Sequence, residues 1–109
     1  MNKEMLVHEL LTTTNATVLY DNGNGNLKMS AIVVNNQTDT AATISFFVVP
    51  DGGTAGVTNN IFAYETSVGA NDQIMFEFNN DWAVDKHNTS LVAQAGTGNA
   101  LMVTMNGSR

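Results

Sequence analysis

Ala41-Ala42-Thr43-Ile44-Ser45-Phe46-Phe47-Val48-Val49-Pro50-Asp51-Gly52-Gly53-Thr54-Ala55-Gly56 reads as a buried strand that is stopped by a turn. Ile44 to Val49 are β-branched or aromatic at every position but Ser45, the residue types that fit a pleated sheet. Pro50 then removes a ladder donor, and Asp51-Gly52-Gly53 brings residues that tolerate positive φ. The strand carries no clean polar face. It is therefore central in its sheet, or its outer face is covered by another subunit.

Outward from this run, seven further strands are expected, bounded by Asn, Asp or Gly: Met5 to Leu11, Thr17 to Tyr20, Leu27 to Val34, Asn60 to Val68, Gln73 to Phe78, Ser90 to Ala95 and Ala100 to Met105. Short strands at such regular intervals are an all-β signature. The reading is an antiparallel β-sandwich of about eight short strands, jelly-roll or immunoglobulin-like. Period-two alternation places Ile74, Phe76 and Phe78 on one face with Glu77 on the other, and groups Leu101, Val103 and Met105 against Met102 and Thr104. Ile32 to Val34 again lacks a polar face.

With 109 residues the chain makes one domain, divided here into an extended N-terminal arm, residues 1–14, and the sandwich, 15–109. Arms pair readily with neighbouring subunits, because main-chain hydrogen bonds are the same within and between chains. Met5, Leu6, Val7 and Leu10 are its candidate contact residues.

Composition excludes several function classes. The chain has no cysteine, hence no disulfide, thiolate nucleophile or cysteine-ligated zinc. Ten acids against four bases give a formal charge of −6, and Lys3, Lys28, Lys86 and Arg109 are scattered. That pattern repels nucleic acid and anionic membranes. The opening residues are too charged for a signal peptide, and no stretch reaches the length of a membrane span. Synthesis in a cytoplasm is expected.

Chemistry is sparse. His87 with Asp81 and Asp85 lacks the spacing of a zinc site, and Ser90, His87 and Asp85 lie too close along one loop to form a triad. Asp21-Asn22-Gly23-Asn24-Gly25-Asn26 lacks the acidic residues of a calcium loop and reads as a turn. No catalytic, cofactor-binding or metal-binding residue is assigned, and no enzymatic activity is expected. Trp82, the single indole, is a candidate contact residue: it caps the core, fills an intersubunit pocket, or stacks on a sugar.

The order of segments resembles small β-sandwich virion structural proteins of tailed bacteriophages. The resemblance lies in Leu19-Tyr20, Ala31-Ile32-Val33-Val34-Asn35-Asn36, the Thr-Ala-Ala-Thr start and Val-Pro-x-Gly-Gly-Thr-Ala-Gly turn within Thr40 to Gly56, Val68 to Phe78 as a late hairpin, and Ser90 to Met105. Asp21 to Gly25 and the Trp82 to His87 loop depart from that pattern. The resemblance implies a non-enzymatic virion component, foremost a capsid decoration protein on the outer surface of the head. A collar, head-tail, baseplate or fibre-associated module is the alternative, and a carbohydrate-binding module is another. The implied partners are other virion proteins, the major capsid protein or connector and tail components, with a homo-oligomer, trimer favoured.

Overall fold

A computed structural model describes residues 4–12, 17–22, 27–50, 52–84 and 89–108, with the backbone alone for 22 and 79–84. Eight strands are divided equally between two sheets: β1 (Glu4–Leu10), β2 (Thr17–Asn22), β3 (Leu27–Asn36), β4 (Ala42–Val49), β5 (Asn60–Val68), β6 (Asp72–Val84), β7 (Thr89–Ala95) and β8 (Leu101–Ser108). A 3₁₀ turn, Val57–Asn59, precedes β5. Every strand expected from the sequence is present.

The first sheet runs β1-β8-β3-β6 and the second β2-β7-β4-β5. All pairings are antiparallel, and four of them join β1 to β8, β2 to β7, β3 to β6 and β4 to β5. The first half of the chain thus pairs with the second half as one long hairpin rolled into two layers. This is the eight-stranded jelly roll.

The tip of the long hairpin is the stretch that announces the fold. Gly52 has φ of 77° and the Gly53 N–H donates to the Pro50 carbonyl at 2.9 Å, closing the turn where β4 ends. Both β3 and β4 occupy central positions, which explains their missing polar face. The outer side of β4 is covered by its own chain: Phe47, Val49 and Val92 form a small cluster with Ala55 from the segment after the turn. Burial of these residues needs no second subunit.

Between the layers lies the main core, with Met29, Ile32, Val34, Ile44, Phe46, Leu101, Val103 and Met105 excluded from solvent. Ile74, Phe76 and Phe78 face it as the alternation predicts, yet they are only half-buried because β6 is a sheet edge. Phe46 of the second sheet meets Phe76 of the first edge-to-face, with centroids 5.9 Å apart. The surface of 6028 Å² is close to the roughly 5,800 Å² of an ordinary folded monomer of this mass.

The arm, residues 1–14, contains the strand expected at Met5 to Leu11: residues 4–10 form the edge strand β1, bonded to β8 of the same chain. The reason is local pattern, since Val7 and Leu11 fall on the core side and are buried there. Val68 to Phe78, read as a late hairpin, is instead a corner between sheets: β5 pairs with β4 and β6 with β3. Asn71 has φ of 54° in that corner and its N–H donates to the Thr38 carbonyl at 3.0 Å, so the β5–β6 turn is tied to the β3–β4 turn.

Asn36 locks the same end. Its amide nitrogen donates to the carbonyls of Thr40 at 2.9 Å and Val68 at 3.1 Å, and its oxygen accepts from the Thr38 N–H at 3.0 Å and the Thr38 hydroxyl at 2.7 Å. All four hydrogen-bonding positions of a fully buried side chain are thus filled. Asn36→Ala leaves buried partners unpaired and is expected to cost about 2–3 kcal/mol. Urea denaturation of the two proteins measures it, and an unchanged midpoint would contradict this account.

Candidate interaction surface

Strand register places twelve side chains in three rows on the outer face of the first sheet. Leu10, Met102, Asn35 and Gln73 make one row; His8, Thr104, Val33 and Met75 the next; Met5, Asn106, Ala31 and Glu77 the third. Each row crosses β1, β8, β3 and β6 in turn, because residues paired in antiparallel strands project to the same side. Six of the twelve are apolar and only Glu77 is charged. One charge in twelve is close to the chain's own 13%, so what distinguishes this outward face is its six apolar side chains, where a solvated sheet face is ordinarily polar.

Exposure is uneven in a useful way. Met5 is 62% exposed, Met75 52% and Leu10 39%, while Met102, Val33 and Ala31 between them are half-buried. Three flexible thioethers, Met5, Met75 and Met102, thus lie on this face and can adapt to an uneven partner. On this face His8 Nδ1 lies 2.8 Å from Thr104 Oγ1, which holds the imidazole against β8. At about 4.8 Å between strands and 6.8 Å between rows, the grid covers roughly 400 Å². That is about half the per-partner area of a stable interface, with apolar side chains at six of the twelve positions.

Of the contact residues expected from the sequence, Met5 and Leu10 lie on this face. Leu6 falls at the register shift in β1 and packs on the core, and Val7 is buried within it. Trp82, in β6, pairs by its backbone with Met29 of β3; its side chain is outside the described residues. Asp85 and His87, and with them the metal and triad arrangements weighed above, also lie outside the described residues, as do 23–26. Met75, Met102 and Val33 were missed as contact residues. Their signal was present in the sequence as apolar residues on both sides of β3, β6 and β8.

Other concavities offer little chemistry. A depression of about 170 Å³ at the end tied by Asn36 is lined by Thr38, Thr40, Ala41, Ala42, Thr97, Gly98 and Ala100. It is smaller than the 300–1,000 Å³ usual for small-molecule sites and carries no charged or imidazole group. Among the described residues no three of His, Asp and Glu group to hold a metal ion, and no helix is long and apolar enough to cross a membrane.

Fold and face together define a jelly-roll sandwich with an outer sheet face that is half apolar and carries one charge at twelve positions. No family model matches the sequence, and neither a curated protein nor a solved structure is significantly similar to it.

Proposed function

We propose that this protein is a non-enzymatic structural component of a tailed-phage virion that attaches to the outside of the head through the outer face of its β1-β8-β3-β6 sheet. The observation that carries the reading is the grid of twelve positions with six apolar residues and a single charge. Jelly rolls recur in viral shells and in lectins, so the topology is compatible with the reading without selecting it. The sequence resemblance to small virion proteins makes the choice.

An attachment face of this size holds weakly when alone. Binding to a lattice repeats the same contact, and a homo-oligomer presenting several copies multiplies affinity without any new contact. The remaining acidic surface keeps the free protein dispersed before it meets the particle.

Co-sedimentation with purified empty heads tests the proposal. Wild-type protein is expected to pellet with heads, and the double variant Met5→Glu, Leu10→Glu to lose binding at least ten-fold with an unchanged far-UV spectrum. Both side chains are exposed, so the substitutions load charge onto the face without touching the core. Retention by connector or tail complexes but not by heads would move the protein to the collar, head-tail or baseplate position. Retention by glycans alone would make it a carbohydrate-binding module.

A further inference from the structure

We infer that the edge of β6 from Asp72 to Glu77, which no strand among the described residues pairs, is a self-pairing site, at which a second copy of this chain adds antiparallel across a two-fold axis centred on Met75. The inference concerns the isolated protein and does not depend on attachment to a particle.

Sheet edges expose unpaired backbone donors and acceptors, and proteins blunt them with bulges, lysine or proline. Three of the four edges here are interrupted. β1 shifts register between Met5 and Val7, and β2 between Val18 and Tyr20. β5 extrudes the residues between Ile61 and Thr66, with Phe62 and Glu65 at φ of 67° and 48°. β6 alone keeps a long regular run: Asp72 to Glu77 pair residue for residue with Asn36 to Ala31, and the shift comes only beyond Glu77. No lysine or proline occurs anywhere in β6. With no lysine, proline or register shift between Asp72 and Glu77, this edge is a template for strand addition once the Asp72 carboxylate, which accepts the Gln73 N–H at 2.8 Å, gives that donor up.

The side chains choose the occupant and the register. A two-fold centred on Met75 sets Met75 against its own copy, Gln73 against Glu77 of the second chain, and Glu77 against the second Gln73. The Glu77 carboxylate thus faces a carboxamide donor and Asp72, at the end of the run, stands opposite Phe78, so no two like charges meet although the chain carries a net charge of −6. A centre on Glu77 would instead oppose two carboxylates. Centring on any other outward-facing residue leaves Gln73 and Glu77 unmatched. On the inner side Ile74 would meet Phe76 of the copy, continuing the core across the seam where both are only half-buried. The outer faces of the two copies would then form one continuous eight-stranded surface.

The full-length protein should sediment as a concentration-dependent dimer in analytical ultracentrifugation at micromolar to hundred-micromolar levels. Gln73→Lys should tighten the dimer several-fold, by setting an ammonium group opposite Glu77 at both ends of the seam, and Gln73→Glu should weaken it at least ten-fold. The chain has no native cysteine, which allows a direct register test. Met75→Cys should cross-link to itself on mild oxidation, since directly opposed residues lie within the Cα separation a disulfide spans. Gln73→Cys alone should not, because its copy is displaced by four residues, about 13 Å; a mixture of Gln73→Cys and Glu77→Cys chains should. A strictly monomeric wild type, any other stoichiometry, a dimer indifferent to charge at residue 73, or failure of Met75→Cys to cross-link would each overturn the inference.

Discussion

Phe46→Ala is expected to lower the unfolding free energy by about 3–5 kcal/mol and the melting temperature by roughly 15–30 °C. Phe46 is fully buried in the central strand β4 and makes edge-to-face contacts with Phe62, 6.2 Å away, and Phe76, 5.9 Å away. Truncation removes a large apolar surface and two aromatic contacts, and leaves a cavity between the sheets. Such pairs contribute beyond their area. A domain of this length has about 5–15 kcal/mol in total, so the variant would lose roughly a fifth or more of it. Collapse of the neighbours is limited, because Phe62 sits in a left-handed backbone conformation that its bulge imposes. Val57→Ala, at a position 72% exposed, should shift stability by less than about 0.5 kcal/mol. Thermal unfolding followed by circular dichroism compares the three proteins, and a Phe46→Ala midpoint within a few degrees of wild type would show that the sheets are not joined through this residue.

Gly107→Ala should be comparably damaging for a different reason. Gly107 lies in β8 between β1 and β3, paired with Glu4 on one side and Met29 on the other. A methyl group added there would collide with the backbone carbonyl of Lys28 and lie 3.1 Å from the Leu6 Cδ1 atom. The carbonyl belongs to the ladder and cannot rotate away, so the strands must part. Overpacking ordinarily costs about 1–3 kcal/mol, and here the obstacle is backbone in the middle of a sheet, so about 3 kcal/mol or more is expected. Gly56→Ala provides the contrast. Its φ is −175°, an extended value open to any residue, and a Cβ there meets nothing within 4 Å. Urea titration should leave Gly56→Ala within about 0.5 kcal/mol of wild type while Gly107→Ala unfolds at much lower denaturant. Equal midpoints for the two variants would refute the close approach of β3 and β8.

The two positions also mark what was legible in the chain. Gly56 and Gly107 look alike as letters, and only the neighbouring strand distinguishes them. Phe62 has no signal in a period-two pattern, since nothing in Asn60-Ile61-Phe62-Ala63-Tyr64-Glu65 calls for an aromatic residue at positive φ. The distortion is offset from outside the strand: the Phe62 ring packs 5.0 Å from that of Phe78, and the Glu65 N–H donates to the buried Ser45 hydroxyl at 2.7 Å. Contact residues were half legible. Met5 and Leu10 stand out near the terminus as apolar residues, whereas Met75, Met102 and Val33 gain meaning only when β1, β8, β3 and β6 lie side by side.

From the amino-acid order alone came the all-β class, the eight strands, the turn after Val49 and the inward faces of β6 and β8, because alternation and turn chemistry are properties of neighbours along the chain. Tertiary structure decided which strand lies beside which, and so separated the jelly roll from the immunoglobulin-like alternative. It built β1 into the sheet, made β3 and β4 central and β6 an open edge, and gathered six apolar side chains from four strands on one outer face. Alternating strands read alike in any sandwich; their partners are chosen by contacts across the full length of the chain, where the gain from burial must exceed the entropy lost in closing long loops.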